Sequence, residues 1–468
     1  MKRVVAPRVL VAILSAGMLS FLGILDETAT TVTFPTLIRE FAVTTDQVQW
    51  VNTLVLLVIA TIVPLSSQIR LRLPTKRIFL LGIGFFMLGL VIDIVAWRFD
   101  LLLLGRALQG IGTGIGLPLM YNIILTKVPK EQLGLMMGIG TMITAAAVAF
   151  GPVFGGLMTD LLNWRWIFII SAVLAVIAAG AGAYSMPQLV VLEKRRFKLA
   201  QWLSIAGGLV FLMVGFTNIA RHQFWSVAVS GLLIVGILAL VCWFLLSWHD
   251  PQALISPRLF TNTHFSMQLL CYCFAKVATL ALGFLLPLYV EEVNHGAVSL
   301  AGWVIFPGAV MDALLAAAAG KMLDKWGARL PILVGTIASL VSLTLMTIAA
   351  RQLSNLMIVA LYVVYYGGYG MSFSSLMTSG LTSLTAASHA QGNAIFNTLQ
   401  QFAGAAGTAL AGTFVAMSQN QSQTSAAGVA TGTKWTLWLL TGLLVANLVL
   451  TIIFVPRGRK DSTNATSH

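Results

Sequence analysis

Charge is what this 468-residue sequence has least of: Asp, Glu, Lys and Arg together supply 9% of it. A soluble domain carries roughly 25%, so a soluble globular enzyme is excluded. Long polar loops are scarce as well. The longest fall near 187–199 and 248–264, too short to hold a catalytic or nucleotide-binding domain. No Walker A motif occurs, which argues against an ATP-driven pump. The three cysteines, Cys242, Cys271 and Cys273, all lie in apolar stretches, which leaves no disulfide framework or zinc site. What the chain has in quantity is apolar residues, 58% of the total. That excludes disorder and leaves a polytopic membrane protein.

Apolar runs long enough to cross the hydrocarbon core, about 20 residues, recur fourteen times. They fall at 8–34, 47–69, 76–97, 100–126, 132–158, 164–186, 200–219, 224–247, 265–291, 297–322, 329–350, 354–382, 389–417 and 433–455. The fold class predicted is all-α and polytopic. The first run is too long for a signal peptide, carries Asp26-Glu27 and ends without a small-residue cleavage site, so it reads as a retained helix. An even number of spans puts both termini on one side. Loops on that side hold twenty of the 28 basic residues and the opposite loops hold six. The positive-inside rule therefore predicts cytoplasmic termini. The net charge of +13 then orients the chain and meets anionic lipid, with no nucleic-acid partner expected.

A weak internal repeat joins the second and tenth spans. Ser67 to Arg77 and Gly320 to Arg329 are both short basic turns on the terminal side. The organisation expected is a six-helix bundle over 1–186, a linker with two extra spans over 187–260, a second six-helix bundle over 261–456, and a cytoplasmic tail at 457–468. Parallel repeats of this kind mark transporters that rock one bundle against the other.

At this point the motifs resemble the major facilitator superfamily, and within it the fourteen-span drug:proton antiporters. Gly320-Lys-Met-Leu-Asp324-Lys-Trp-Gly327-Ala-Arg329 is similar to the superfamily's cytoplasmic loop motif, and Arg106-Ala-Leu-Gln-Gly110 to its fourth-helix arginine motif. Gly151-Pro152-Val-Phe-Gly155-Gly156 resembles the antiporter motif of the fifth helix, followed by a family-like Trp164-Arg-Trp-Ile-Phe168. Leu25-Asp26-Glu27-Thr28, Gly392 to Gln401 and Ala403 to Thr408 resemble the lincomycin-resistance-type multidrug exporters. Two departures stand out. The first loop motif has Ser67 for its opening glycine, Leu71 for its acid and Pro74 for its second glycine, so the lock this loop gives the family would rest mostly on Asp324. Ala147 replaces a glycine of the antiporter motif but remains small.

Ionisable groups within spans are costly and usually line a water-filled path. Asp26, Glu27, Arg106, Lys276 and Asp312 are the candidates for proton coupling. Asp26 and Glu27 diverge by ~100° on their helix, so one can face a central cavity while the other packs towards a neighbour such as Arg106. Glu27 is favoured for proton or cation chemistry, with a helix-fixing ion pair as the alternative. Lys276 and Asp312 fall near mid-depth as a second ion pair or site. Asp93, close to Arg98, reads as a snorkelling or capping group. Substrate contacts are expected from Glu27, Asp26, Tyr121, Asn122, Asn397, Gln400, Gln401 and Tyr366, because aromatic faces and amides suit flat cationic molecules. Plain helix packing is the alternative for each. Gly151, Pro152, Gly155, Gly156, Gly320, Asp324, Gly327 and Arg329 are expected to serve the conformational change.

The function implied is a proton-coupled multidrug exporter of the cell membrane, working by drug:H+ antiport. It would need no cofactor or metal, take small-molecule drugs and protons as partners, and act as a monomer. An exporter of one metabolite or amphiphile is the alternative. A membrane-embedded enzyme or sensor is remote, since no catalytic constellation is found and no enzyme activity is expected.

Overall fold

The computed structural model describes residues 5–43, 45–192, 197–219, 226–250, 252–296, 298–419, 421–422 and 424–455. Among them are fourteen long helices. These are α1 Pro7–Val32, α2 Trp50–Arg72, α3 Thr75–Ile94, α4 Phe99–Lys127, α5 Leu133–Leu161, α6 Arg165–Ser185 and α7 Leu199–Ile219. They continue as α8 Val227–Trp248, α9 Thr263–Glu292, α10 Val298–Trp326, α11 Arg329–Ile348, α12 Asn355–Thr382, α13 His389–Gln419 and α14 Ser425–Phe454. Lipid cannot satisfy a bare backbone, so apolar runs of this length close their hydrogen bonds internally. Polar residues set several starts. Ser226, Asn262, Ser354 and Thr424 cap α8, α9, α12 and α14 by accepting the backbone N–H of the third helical residue.

Thirteen of the described helices are long and apolar enough to cross a membrane. α13 is the exception by composition, because its first four turns carry Asn393, Asn397, Gln400 and Gln401. α14 starts earlier than its apolar run. Residues 425–432 give no hydrophobic signal, but Gly428 and Gly432 bring the backbone hard against Gln419 and Val415 of α13. Two short helices, Phe34–Phe41 and Thr45–Val48, fill the connection between α1 and α2. The tail 457–468, Lys194 to Arg196 and Arg221 lie outside the described residues.

The packing repeats eight helices on. α1 packs on α4, α5 and α6, while α9 packs on α12, α13 and α14. α4 also takes α2 and α3, and α12 takes α10 and α11; α3–α6 has its counterpart in α11–α14. The contacts between the halves obey the same relation, since α5–α10 maps onto α13–α2 and α5–α12 onto α13–α4. α7 packs on both α2 and α13, and α8 packs on α7. One face gathers the start of α1 and the end of α6, where Arg8 Nη2 donates to the Tyr184 carbonyl at 3.1 Å. His264 at the start of α9 meets the Phe454 carbonyl of α14 there, at 3.0 Å. This is the side rich in Lys and Arg, here termed the basic face.

Candidate functional site

Two polar clusters sit inside the apolar helices, one in each half. In the first, Asp26 is 0% exposed, and its Oδ1 accepts from Ser171 Oγ of α6 at 2.5 Å. It faces the interior of its own half, not Arg106 directly. Glu27, one residue on, is partly exposed and feels the charges of Arg106 and of Lys276 from the other half. The ~100° step along the helix thus separates an inward acid from one that faces across.

Arg106 is fully buried. Its Nη1 donates to Gln109 Oε1 at 2.5 Å, Nε to the Val51 carbonyl at 3.3 Å and Nη2 to Asn52 Oδ1 at 3.4 Å. Among the described residues it makes no ion pair, and its attraction to Asp93, Asp26 and Glu27 acts at longer range. Arginine has only donors, so Gln109 must turn its oxygen to Arg106. That leaves the Gln109 amide nitrogen to donate to Asp93 Oδ2 at 2.7 Å. Asp93 therefore corrects the expectation from its sequence position. It is 0% exposed and belongs to the Arg106 network, whereas Arg98 pairs with Asp100 at 2.9 Å. Packing explains this, because Asp93, in the last turn of α3, lies against Gly105 of α4, while Arg98 stays at the surface. Asn52 extends the network by donating to the Glu27 carbonyl at 3.1 Å and to Thr31 Oγ1 at 2.7 Å.

The second cluster belongs to α9, α10 and α12. Lys276 is partly exposed, with Nζ 5.8 Å from the Phe373 ring centroid. It attracts both Asp312 and Glu27. Asp312 is 6% exposed, leaves Oδ1 without a partner among the described residues, and is close enough to Tyr362, Tyr366, Tyr369 and, from the other half, Tyr121 to act on them electrostatically. Aromatic rings run in a ladder beside it. Tyr362 meets Tyr366 at 4.4 Å, Tyr366 meets Tyr369 at 5.8 Å, Tyr369 stacks on Phe373 at 4.6 Å, and Phe373 stacks on Tyr272 at 3.9 Å.

The amides of α13 divide. Asn397 is 1% exposed and donates to the side chain and carbonyl of Asn393 at 2.6 and 2.9 Å. Asn393 donates in turn to Asn122 Oδ1 at 3.2 Å and the Pro118 carbonyl at 2.9 Å. Asn397 and Asn122 are thereby parts of a bridge between the halves. Gln400 and Gln401 are partly exposed, and Gln400 accepts from the Tyr272 hydroxyl. The sequence reading missed Asn52, Gln109, Ser171, Asn393 and Tyr272. Gln109 and Asn393 had a signal, lying one turn from Arg106 and Asn397, but Ser171 had none.

The conformational motifs sit at close approaches. A Cβ at Gly151 or Gly155 would strike Thr28 or the Ala29 backbone of α1, whereas Gly156 faces open space. Gly156 therefore takes no part in that contact, and Pro152 is partly exposed beside it. Asp324, in the last turn of α10, accepts from the backbone N–H of Gly134 at 2.7 Å and of Leu135 at 2.8 Å. One half thus caps the first turn of α5 in the other. Gly320 lies against the Gly134 backbone, Gly327 needs its positive φ of 84°, and Arg329 reaches the Ile452 and Val455 carbonyls at 3.5 Å.

The chain as a whole is similar to known proteins. The chain is 31% identical to lincomycin resistance protein LmrB of Listeria innocua over 414 residues, 88% of either chain. It is 30% identical to the protein of that name in Bacillus subtilis over 416 residues, 88% of this chain and 86% of the relative. Two solved structures share the fold. The human organic anion transporter MFSD10 matches 95% of this chain and 100% of its own at a TM-score of 0.67 and 14% identity. The proton:xylose symporter XylE matches 96% of each chain at a TM-score of 0.67 and 15% identity. The family model for the Major Facilitator Superfamily matches residues 16–408. That match runs from α1 into α13 and takes in both halves, and on this ground the chain belongs to the Major Facilitator Superfamily.

Proposed function

We propose that this membrane transporter exports lipophilic, cationic drugs across the cell membrane in exchange for protons, with both termini cytoplasmic. The observation that carries the reading is the placement of Glu27. It is the partly exposed acid of the first cluster, and it shares the field of Lys276 with Asp312 of the second. A proton or a cation arriving at Glu27 changes the balance in both halves at once. A carboxylate that faces Lys276 can exchange that partner for a drug cation, and a proton taken from outside then discharges the drug.

The remaining groups support this reading. The ladder from Tyr362 to Tyr272 offers flat faces beside Asp312, suited to a planar cation. Arg106, held by Gln109, Asn52 and the Val51 carbonyl, is a fixed positive charge against which Asp26, Glu27 and Asp93 settle. Cross-half contacts at the basic face, Asp324 on α5 and Asn393 on α4, give a closed cytoplasmic side that must open to load. The energy suffices, since ~100 mV supplies ~2.3 kcal/mol per charge. The relatives named for lincomycin resistance add weight to drugs as the cargo.

The test is transport of ethidium by proteoliposomes under an imposed pH gradient. Glu27→Gln should lower pH-driven flux at least about tenfold, equivalent to ~1.4 kcal/mol, and flatten its pH dependence. Asp312→Asn should weaken cationic cargo more than neutral cargo. Full flux with unchanged pH dependence for Asp26→Asn, Glu27→Gln and Asp312→Asn alike would refute the coupling. Competition by chemically unrelated compounds supports a multidrug cargo, and competition confined to one tight class would make the chain a dedicated metabolite or amphiphile exporter.

A further inference from the structure

The two seams between the halves are related by the internal repeat, yet they are not closed in the same way. On the α5–α10 seam, Gly320 gives close approach and Asp324 caps α5. On the α2–α13 seam, the repeat puts Ser67 where Gly320 stands and Leu71 where Asp324 stands. Leucine cannot cap a helix, so the first turn of α13 receives no carboxylate from α2.

A different piece of chain occupies that seam. Ala253, Leu254 and Ile255, in the connection from α8 to α9, are 5%, 1% and 4% exposed. A connecting segment is normally at the surface, because its backbone groups need partners. Here helix side chains supply those partners. Ser67 Oγ of α2 donates to the Leu254 carbonyl at 2.8 Å. Gln391 Oε1 of α13 accepts from the Ser256 N–H at 3.0 Å, and its Nε2 donates to the Ala253 carbonyl at 3.4 Å. Gln201 Oε1 of α7 accepts from the Leu254 N–H at 2.9 Å. Gln201 Nε2 and Lys198 Nζ both hold Asp250, each at 2.8 Å.

We propose that residues 253–256 form a strap that latches the α2–α13 seam at the basic face in place of the missing carboxylate, with α7 and α8 as its anchor. The serine that replaces the motif glycine is the strap's hook on the first half, and Gln391 is its hook on the second. The inserted pair of helices thereby gains a defined role, since it delivers the strap and holds its root. Opening the basic face means parting α2 from α13, which must break the Ser67 or the Gln391 bonds while Gln201 keeps the strap on α7. The inference rests on the two halves rocking as in the export cycle, but not on what is exported.

The experiment measures distance and needs no cargo. Nitroxides at Leu71→Cys and Ala387→Cys report the ends of α2 and α13, in a chain carrying Cys242→Ser, Cys271→Ala and Cys273→Ala. Electron–electron resonance should give one short distance for the otherwise intact protein. Ser67→Ala with Gln391→Ala should add a longer-distance population severalfold larger than any seen before. Ser256→Pro is the second variant, in case the first folds poorly. It removes the N–H that Gln391 accepts, at a φ of −81° that proline tolerates, and should shift the distribution the same way. An unchanged distribution in either folded variant overturns the strap. Lost ethidium flux with an intact distance response would count against the export reading alone.

Discussion

Gly151 and Gly155 show how much a single hydrogen-for-methyl exchange matters when helices touch through their backbones. At Gly155 the added carbon would meet the Ala29 carbonyl and Cα, and backbone cannot swing aside. Gly155→Ala should therefore destabilise by about 1–3 kcal/mol, the usual cost of overpacking, read as a lower midpoint of thermal unfolding in detergent. Gly156→Ala meets nothing and should hold or raise the midpoint, since alanine is the better helix former by roughly 0.5–1 kcal/mol. A drop of equal size for both would mean that lipid contact decides, not the α1–α5 approach. The motif in the sequence marked both glycines alike, because spacing does not say which side of a helix a neighbour occupies. The same limit hid Ser171. A serine in an apolar helix usually bonds its own preceding turn, and only the packing of α6 on α1 turns this one to Asp26. Asp93 was misread for a related reason, since nearness in sequence to Arg98 says nothing about burial beneath α4.

Whole helices were legible where they were apolar. The run-length argument overlaps each of the fourteen long helices described, thirteen of them long and apolar enough to cross a membrane, because lipid imposes a length and a composition that no soluble context imposes. It goes astray at the start of α14, where glycine packing rather than hydropathy extends the helix, and it ignores the short helices between α1 and α2. At this scale Asp324 is the decisive side chain, for it supplies two charge-assisted bonds to the first turn of α5 from α10 of the other half. Replacing an N-capping acid costs about 0.5–2 kcal/mol. Asp324→Ala, which leaves both N–H groups without that acceptor, should weaken the closed seam by that amount and multiply the open population by roughly 2–30. Labelling of an introduced cysteine at Ala316, which is fully buried with its backbone against Gly138, should accelerate accordingly with maleimide, relative to the same cysteine with Asp324 intact. No acceleration would show that Gly134 and Gly320 close that seam without help from the cap.

Taken whole, the molecule puts two kinds of acid to use, and pH separates them. Asp26, Glu27, Asp93 and Asp312 lie within the spans, where the proposed coupling acts. Asp250 lies beyond the end of α8, at the root of the strap. Its slight burial raises the carboxyl pKa, but hydrogen bonds from Lys198, the Gln252 N–H and Gln201 outweigh this and hold it below the usual carboxylate range. A folded-state pKa below the unfolded one stabilises at every pH above the unfolded value, ~3.9, and that stabilisation is lost as pH falls through the folded value. The anchor should therefore be fully formed from about pH 5.5 to 8, the range over which a proton-coupled exporter must work. The α2–α13 distance in cargo-free protein carrying Glu27→Gln and His389→Gln, the latter removing the imidazole that opens α13 in the field of Arg70 of α2, should stay constant across that range, and lengthen only below about pH 4. Asp250→Asn should lengthen it by the same amount at every pH in the range, because it removes the charge rather than titrating it. A distance that drifted between about pH 5.5 and 8 in the protein lacking both Glu27 and His389 would place a titrating group in the strap itself, and the division of labour between spanning acids and strap root would fail.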